Sequence, residues 1–388
     1  MGTRTWNLSD LPGADGATVF HLRGNQLPTA AQDCQVFARR LHGGRSEGVD
    51  VVELDNGTLE ITALPTRGMG IWKAFSSDGR TLGWHSPVRG PVHPNFVPLG
   101  EPSGLGWLDG FDELFCRCGL SSNGEPEFDE RGRLRYGLHG RIANLPAHQV
   151  ELLVDDHSGA LTLRGVVDDA RFHFQKLRLT SSVTVQPGVM GWRWHDRVEN
   201  FGGTPAVMQM LYHFNIGPPL LAQGARLHAP VATIAPQNDA AAKYMDAWQT
   251  MPAPQAGSEE QVLYFELHGD AHGETEVMLA HPSGTEGVAI RFNKRALPWF
   301  AQWRNSAAEA DGYVSGLEPA TNFPNTHSFE RSQGRVVELA PGKTWEASVE
   351  VQWMTSAAGV NAAQERIAAL ADGRPTEVLT APRRGWSP

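Results

Sequence analysis

The chain has 388 residues, enough to bury a large core without disulfide staples. Its 33 Lys and Arg against 43 Asp and Glu leave a net charge of −10, which excludes a generic basic face for nucleic acid. With 40% hydrophobic and 20% charged residues the chain is not a disordered one, and 42 Gly and 26 Pro predict frequent turns and many short strands.

Met1 to Pro12 holds no basic stretch followed by an apolar run, and the position that myristoylation needs as Ser or Thr is Trp6. A soluble cytoplasmic protein is expected, with residues 1–45 an N-terminal extension packed on a single domain of residues 46–388. Gln26 to Leu41 reads as a weak helix. Val51 to Thr62 reads as two alternating runs joined by Asn56-Gly57, a strong hairpin signal. Val150–Val154 and Ala160–Val167 flank a second turn in the same way. Lys176–Val185 and Trp192–Val198 alternate again, and period-2 patterning recurs over much of the chain. Phe201 to Ala225 has no Asp, Glu, Lys or Arg, but its Gly and Pro content rules out a spanning helix, so buried strands and loops are predicted. Ala235 to Ser258 reads as a long loop or insertion. Arg335–Leu339 and Trp345–Met354 are predicted to pair as a hairpin around Pro341-Gly342-Lys343. Ala362–Ala371, ended by Gly373 and Pro375, is the one convincing helix. The expected architecture is all-β: one large antiparallel β-sandwich with few short helices.

Cys34, Cys116 and Cys118 imply no disulfide framework, and Cys116-x-Cys118 is not a zinc or redox spacing. There is no phosphate-cradling Gly-rich loop, no G-x-S-x-G and no H-E-x-x-H.

Four segments carry chemistry-bearing residues. Gly104 to Leu120 places Asp109, Asp112 and Glu113 beside Trp107 and Phe111, between turn glycines. It reads either as a substrate-facing loop or as a solvated acidic turn over a core Trp. In Tyr136 to Pro146, His139 and Arg141 lie at i and i+2, so on a strand they share a face and could grip adjacent hydroxyls. Within the uncharged stretch, His213 and Asn215 share a face, and a polar pair among apolar neighbours must find partners or do work. Glu318 closes a short apolar strand before Pro319, where partial shielding would raise its pKa towards that of a general base.

Taken together, these segments resemble the aldose 1-epimerase (galactose mutarotase-like) superfamily, over about residues 45–355. Leu317-Glu318-Pro319 resembles the family's segment with the general-base Glu, and Tyr212-His213-Phe214-Asn215 the segment with the general-acid His. His139 resembles the earlier His that holds the sugar ring, and Arg67 or Arg141 the substrate-binding Arg. The order also agrees: His213 follows His139 by 74 residues and Glu318 follows His213 by 105. The family's additional sugar-binding Asp has no assignable counterpart. The resemblance implies a galactose mutarotase-like supersandwich and an isomerase of carbohydrate metabolism that interconverts sugar anomers. Glu318 would act as base and His213 as acid, and Arg67, Asp109, Asp112, His139, Arg141, Asn215 and Asn322 would bind substrate. It implies a small carbohydrate as partner, no metal, no organic cofactor, no nucleic acid and no membrane; the oligomeric state is open. Three other readings stay open: a non-catalytic sugar-binding protein, an epimerase or isomerase of an oxidised or keto sugar, and a metal-assisted isomerase or lyase.

Overall fold

A computed structural model describes residues 2–9 and 19–388. Two large sheets face each other across one main core. The nine-stranded sheet runs, in spatial order, Thr3–Asn7, Gln149–Asp155, Leu161–Ala170, Lys176–Val185, Gly191–Asn200, Thr344–Met354, Gly287–Asn293, Glu274–Ala280 and Arg226–His228. The fourteen-stranded sheet begins at Val19–Arg23 and passes through Gln35–Arg40, Asp50–Asp55, Leu59–Leu64 and Gly70–Ser76. It continues with Phe115–Leu120, Ala206–Ile216, Val314–Ala320, Trp299–Asn305, Gln261–Leu267 and Val231–Pro236. Nearly all pairings are antiparallel; the short Glu377–Val378 strand joins Val231–Pro236 in parallel. The fold is thus the expected large β-sandwich, and the segment before residue 45 supplies an outer strand to each sheet.

Alternation explains the nine-stranded sheet. Along Leu161–Ala170 and Lys176–Val185, every second side chain is buried and its neighbours are partly exposed, as one covered face requires. The centre of the other sheet differs. Phe115–Leu120, Ala206–Ile216 and Val314–Ala320 are buried on both faces. Their inner residues, Phe115, Tyr212, Phe214 and Leu317, belong to the main core. Their outer residues, Cys116, Cys118, Leu211 and Ala320, join a second cluster with Trp84, Trp107 and Phe111. The uncharged run around Ala206–Ile216 therefore reflects a strand covered twice, by the opposite sheet and by loops.

One charged network crosses the core. Arg117 donates through Nε and Nη2 to Asp196 (2.6 and 3.0 Å), through Nη2 to Ser181 Oγ, and through Nη1 to the carbonyls of Gly68 and Met69. Tyr212 OH donates to Asp196 Oδ2 at 2.8 Å. All five guanidinium N–H groups are used, which is what makes a buried charge tolerable.

Three expectations are corrected. Gln26–Leu41 is not a helix: short 3₁₀ turns at Gly24–Gln26 and Thr29–Ala31 lead into the Gln35–Arg40 strand, which pairs with Asp50–Asp55. Pro28 breaks the run, and sheet pairing overrides the helix propensity of its alanines. Val337–Leu339 and Thr344–Met354 do not form a hairpin. The former pairs with Ala206–Met208, the latter with Gly191–Asn200 of the other sheet. Asn200 holds this corner: its Nδ2 donates to Leu339 O and its backbone bonds Gly342 and Lys343. The 235–258 segment is not one plain loop. It carries the end of the Val231–Pro236 strand, a helical turn at Asp239–Ala242 capped by Asn238, and a 3₁₀ turn at Met245–Ala247. The C-terminal helix is longer than expected, Ala357–Ala371, with Ser356 as its cap. Among the described residues no helix is long and apolar enough to cross a membrane.

Candidate active site

The outer face of the fourteen-stranded sheet carries the titratable pair. Ala206–Ile216 and Val314–Ala320 run antiparallel with Phe214 opposite Leu317 and Asn215 opposite Gly316, a register that sets His213 across from Glu318. His213 Nε2 lies 3.2 Å from Glu318 Oε1, and the two side chains are 4% and 3% exposed. That distance suits an ion pair, yet neither His213 Nδ1 nor Glu318 Oε1 has a hydrogen-bond partner. Two orphaned polar atoms at such depth mark a place where something other than stability is at work.

Gly316 creates the room. Its residue number puts it on the face of Glu318, and a Cβ there would meet Glu318 Oε1 at 2.5 Å and His213 Cε1 at 3.0 Å. Aromatic rings wall the pair. The His213 ring is 5.3 Å from Phe111, 5.6 Å from Trp303, 5.5 Å from His139 and 6.4 Å from Trp107. Trp107 also meets the His139 ring at 4.7 Å.

This apolar wall shifts both members of the pair. Burial pushes the Glu318 carboxyl up to about 8, and the negative charge of Glu260 adds to it. Burial pushes His213 well below the ordinary imidazole value, helped by neighbouring His139. Both shifts favour the uncharged pair, a protonated Glu318 carboxyl beside a neutral His213 imidazole. Burial also lowers His139 to about 4, so it too is neutral.

The other residues singled out from the sequence divide. His139 belongs to the cluster, but not as part of a strand: it sits in a turn with φ +57°, and its Nδ1 lies 2.8 Å from the Asn123 carbonyl. Arg141 does not share its face. It caps a 3₁₀ turn at Ile142–Asn144 and its guanidinium pairs with Asp169. Asn322 stands one step behind His139: it and Asn123 exchange amide hydrogen bonds of 2.8 and 3.1 Å. Asn215 Nδ2 donates to the Glu113 carbonyl at 2.9 Å, while its Oδ1 has no partner. Asp109 is exposed, and its carbonyl accepts from Arg45. Asp112 accepts from Trp72 Nε1 at 2.7 Å, and burial raises it to about 7. Glu318 itself is not at a partly shielded strand end; it lies inside a seven-residue strand with every residue buried.

Arg67 is fully engaged. It donates to Glu113 Oε1 at 2.7 Å, to Asn144 Oδ1 and to the Gly110 carbonyl at 2.8 Å. Gly110 ends the 3₁₀ turn Gly106–Gly110 that carries Trp107, so Arg67 and Glu113 tie down the aromatic wall. Both side chains are 1% exposed. Arg67→Met would leave Glu113 buried and unpaired, so we expect about 3–5 kcal/mol lower unfolding free energy in urea melts. A guanidinium whose only task is to bind substrate would leave stability nearly unchanged.

Sequence reasoning passed over Trp303 and Gly316, and it noted Glu113 without giving it a role. Gly316 had a signal, since a glycine inside a strand often marks a close approach. Among the described residues no group of three or more His, Cys, Asp or Glu is arranged to hold a metal ion. A cavity of about 690 Å³ beside the Ala357–Ala371 helix lies on the other sheet. Its Glu276 is already paired with Arg291 and Arg366.

The large β-sandwich of two mainly antiparallel sheets has the galactose mutarotase-like fold. A protein of Klebsiella pneumoniae subsp. pneumoniae MGH 78578, provisionally assigned as an aldose 1-epimerase, is 32% identical to this chain. It superposes with a TM-score of 0.93 over 98% of this chain and 99% of its own. The galactose 1-epimerase of Lactobacillus acidophilus NCFM shares the fold at 12% identity, with a TM-score of 0.53 over 83% of this chain and 99% of its own. A galactose mutarotase-like protein of Clostridium acetobutylicum does so at 14% identity, with a TM-score of 0.54 over 82% and 98%. No curated protein matches the chain. The chain belongs to the family described as a domain of unknown function, DUF4432, whose profile matches residues 46–353.

Proposed function

We propose that this protein is an aldose 1-epimerase-like isomerase that interconverts the anomers of a small cyclic sugar by acid–base catalysis at His213 and Glu318, acting in the cytoplasm in carbohydrate metabolism. The observation that carries this reading is the 3.2 Å approach of His213 Nε2 to Glu318 Oε1 inside an aromatic wall. The two oxygens of a hemiacetal share one carbon, so an acid and a base serving both must be close neighbours. With no sugar present, burial keeps the pair neutral. An anomeric hydroxyl donating to Glu318 favours its ionised form, and the carboxyl proton then moves to His213 Nε2. Glu318 accepts the anomeric proton while His213 returns one to the ring oxygen. The ring C–O bond breaks, the aldehyde turns about its bond to the next carbon, and the same steps in reverse close the other anomer. Net proton count and redox state are unchanged, so no co-reactant is consumed. Groups of this kind contribute typically 10²–10⁴-fold each. The flat face of the half-buried Trp303 suits the apolar face of a pyranose.

The test is polarimetry on freshly dissolved single anomers of a panel of aldoses. Catalysed relaxation of at least one sugar is the expected result. If none relaxes faster than in buffer, while a sugar still binds, the chain is a binding protein and the catalytic reading fails.

A further inference from the structure

Glu260 lies on the segment leading into the Gln261–Leu267 strand, far in sequence from both members of the pair. Its carboxylate accepts a hydrogen bond from Trp303 Nε1 at 2.8 Å. Trp303 stands opposite Gly316 in the sheet, and its Cβ is 3.2 Å from where a Gly316 Cβ would sit. Its ring stands edge-on to His213 at 5.6 Å and lies 5.9 Å from Phe111. Glu260 is thus joined, through one indole, to the wall that contacts the pair.

We propose that Glu260 is a positioning residue for the His213–Glu318 pair: through its hydrogen bond to Trp303 its carboxylate seats the indole against His213 and sets a negative charge at the solvent edge of the aromatic wall. The inference rests on the same pair as the proposed function and adds a residue that governs where the pair's proton resides. Other groups face Glu318 from each element packed against it. His213 comes from Ala206–Ile216, Cys116 and Cys118 from Phe115–Leu120, His139 from the turn before Ile142, and Tyr264 from Gln261–Leu267. The histidines are held neutral and the two thiols and the phenol are raised by burial, so none of these carries charge at pH 7. Glu260 is the charged side chain that adds to the upward shift of Glu318. It acts on Glu125 in the same sense. The consequence is a carboxylic acid kept protonated until a hydroxyl donor arrives.

The test titrates Glu318 directly, by ¹³C NMR of protein labelled at the Glu carboxyl carbon, with Glu318→Gln to assign the resonance. Glu260→Gln keeps an oxygen for the Trp303 N–H but removes the charge. The Glu318 midpoint is expected to fall by at least about half a pH unit. Trp303→Phe removes the N–H that anchors the exposed carboxylate, which can then swing away from the wall, and the midpoint should fall in the same direction. Raising ionic strength in the wild type should do so as well. Glu260 is exposed, so Glu260→Gln is expected to fold, and the salt titration needs no variant. An unchanged midpoint in both variants overturns the proposal. So does a Glu260→Gln protein that loses sugar affinity with its Glu318 midpoint unmoved, which would make Glu260 a sugar contact instead. No sugar turnover enters the titration. A shifted midpoint in a protein that epimerises nothing would sink the enzyme reading and leave this one standing.

Discussion

Glu318→Gln is expected to lower turnover at least about 10²-fold while leaving sugar binding largely intact, because the amide keeps shape and hydrogen bonding but can neither hold nor accept the proton. His213→Asn should fall by a similar factor. The double variant should be little worse than either single one, since both groups serve one transition state. Stability gives a second, independent readout. The folded carboxyl titrates at about 8 against an ordinary 4.5, so between those values the native state holds a proton that the unfolded chain has lost. Stability therefore falls as pH rises through that window. Glu318→Gln removes the penalty and should be more stable than wild type near pH 8, by something on the order of a few kcal/mol, with the gain shrinking toward pH 4.5. His213 works in the opposite window. Its folded imidazole refuses the proton that the unfolded one accepts below 6.5, so it costs stability as pH falls. Chemical denaturation at several pH values, beside anomerisation rates, separates these effects. A structural Glu318 would show the reverse: lost stability, with activity per folded molecule near wild type.

Gly316→Ala is the second large effect. The new methyl would stand 2.5 Å from Glu318 Oε1, and the carboxyl is the movable party because it ends a flexible chain. The carboxyl should swing away from His213, separating acid from base without deleting either. A misplacement on the order of 1 Å costs roughly 10² in rate. We expect a fall of that size in kcat, with a Glu318 midpoint altered in the NMR titration and a modest change in Tm. A Gly316→Ala protein with full turnover would show that the close approach at this glycine is not needed for catalysis.

Local features of the fold were legible and long-range ones were not. The Asn56-Gly57 hairpin announces itself because its turn chemistry and both strands lie within a dozen residues. The switch of sheets between Leu339 and Thr344 does not, because Asn200, more than a hundred residues earlier, decides it. Gln35–Arg40 has the composition of a helix and becomes a strand only because Asp50–Asp55 lies beside it. The site divides along the same line. His213 and Glu318 stood out as polar residues in apolar surroundings, a contrast visible within a few positions. Arg67 was a candidate only through the family resemblance; its partners Glu113 and Asn144 lie 46 and 77 residues away, and they turn a candidate sugar ligand into a brace for the aromatic wall. Nothing in the local sequence of Glu260 links it to Trp303, 43 residues later.

The most direct measurement is two-dimensional exchange NMR on the anomeric pair of a sugar in D₂O, with wild type and with Glu318→Gln. The account expects cross-peaks between the two anomers that appear with wild-type protein and vanish with the variant, while every carbon-bound proton keeps its full intensity. Loss of a carbon-bound proton to solvent would contradict it, showing that the pair abstracts protons from carbon; so would anomer exchange that persists undiminished in Glu318→Gln.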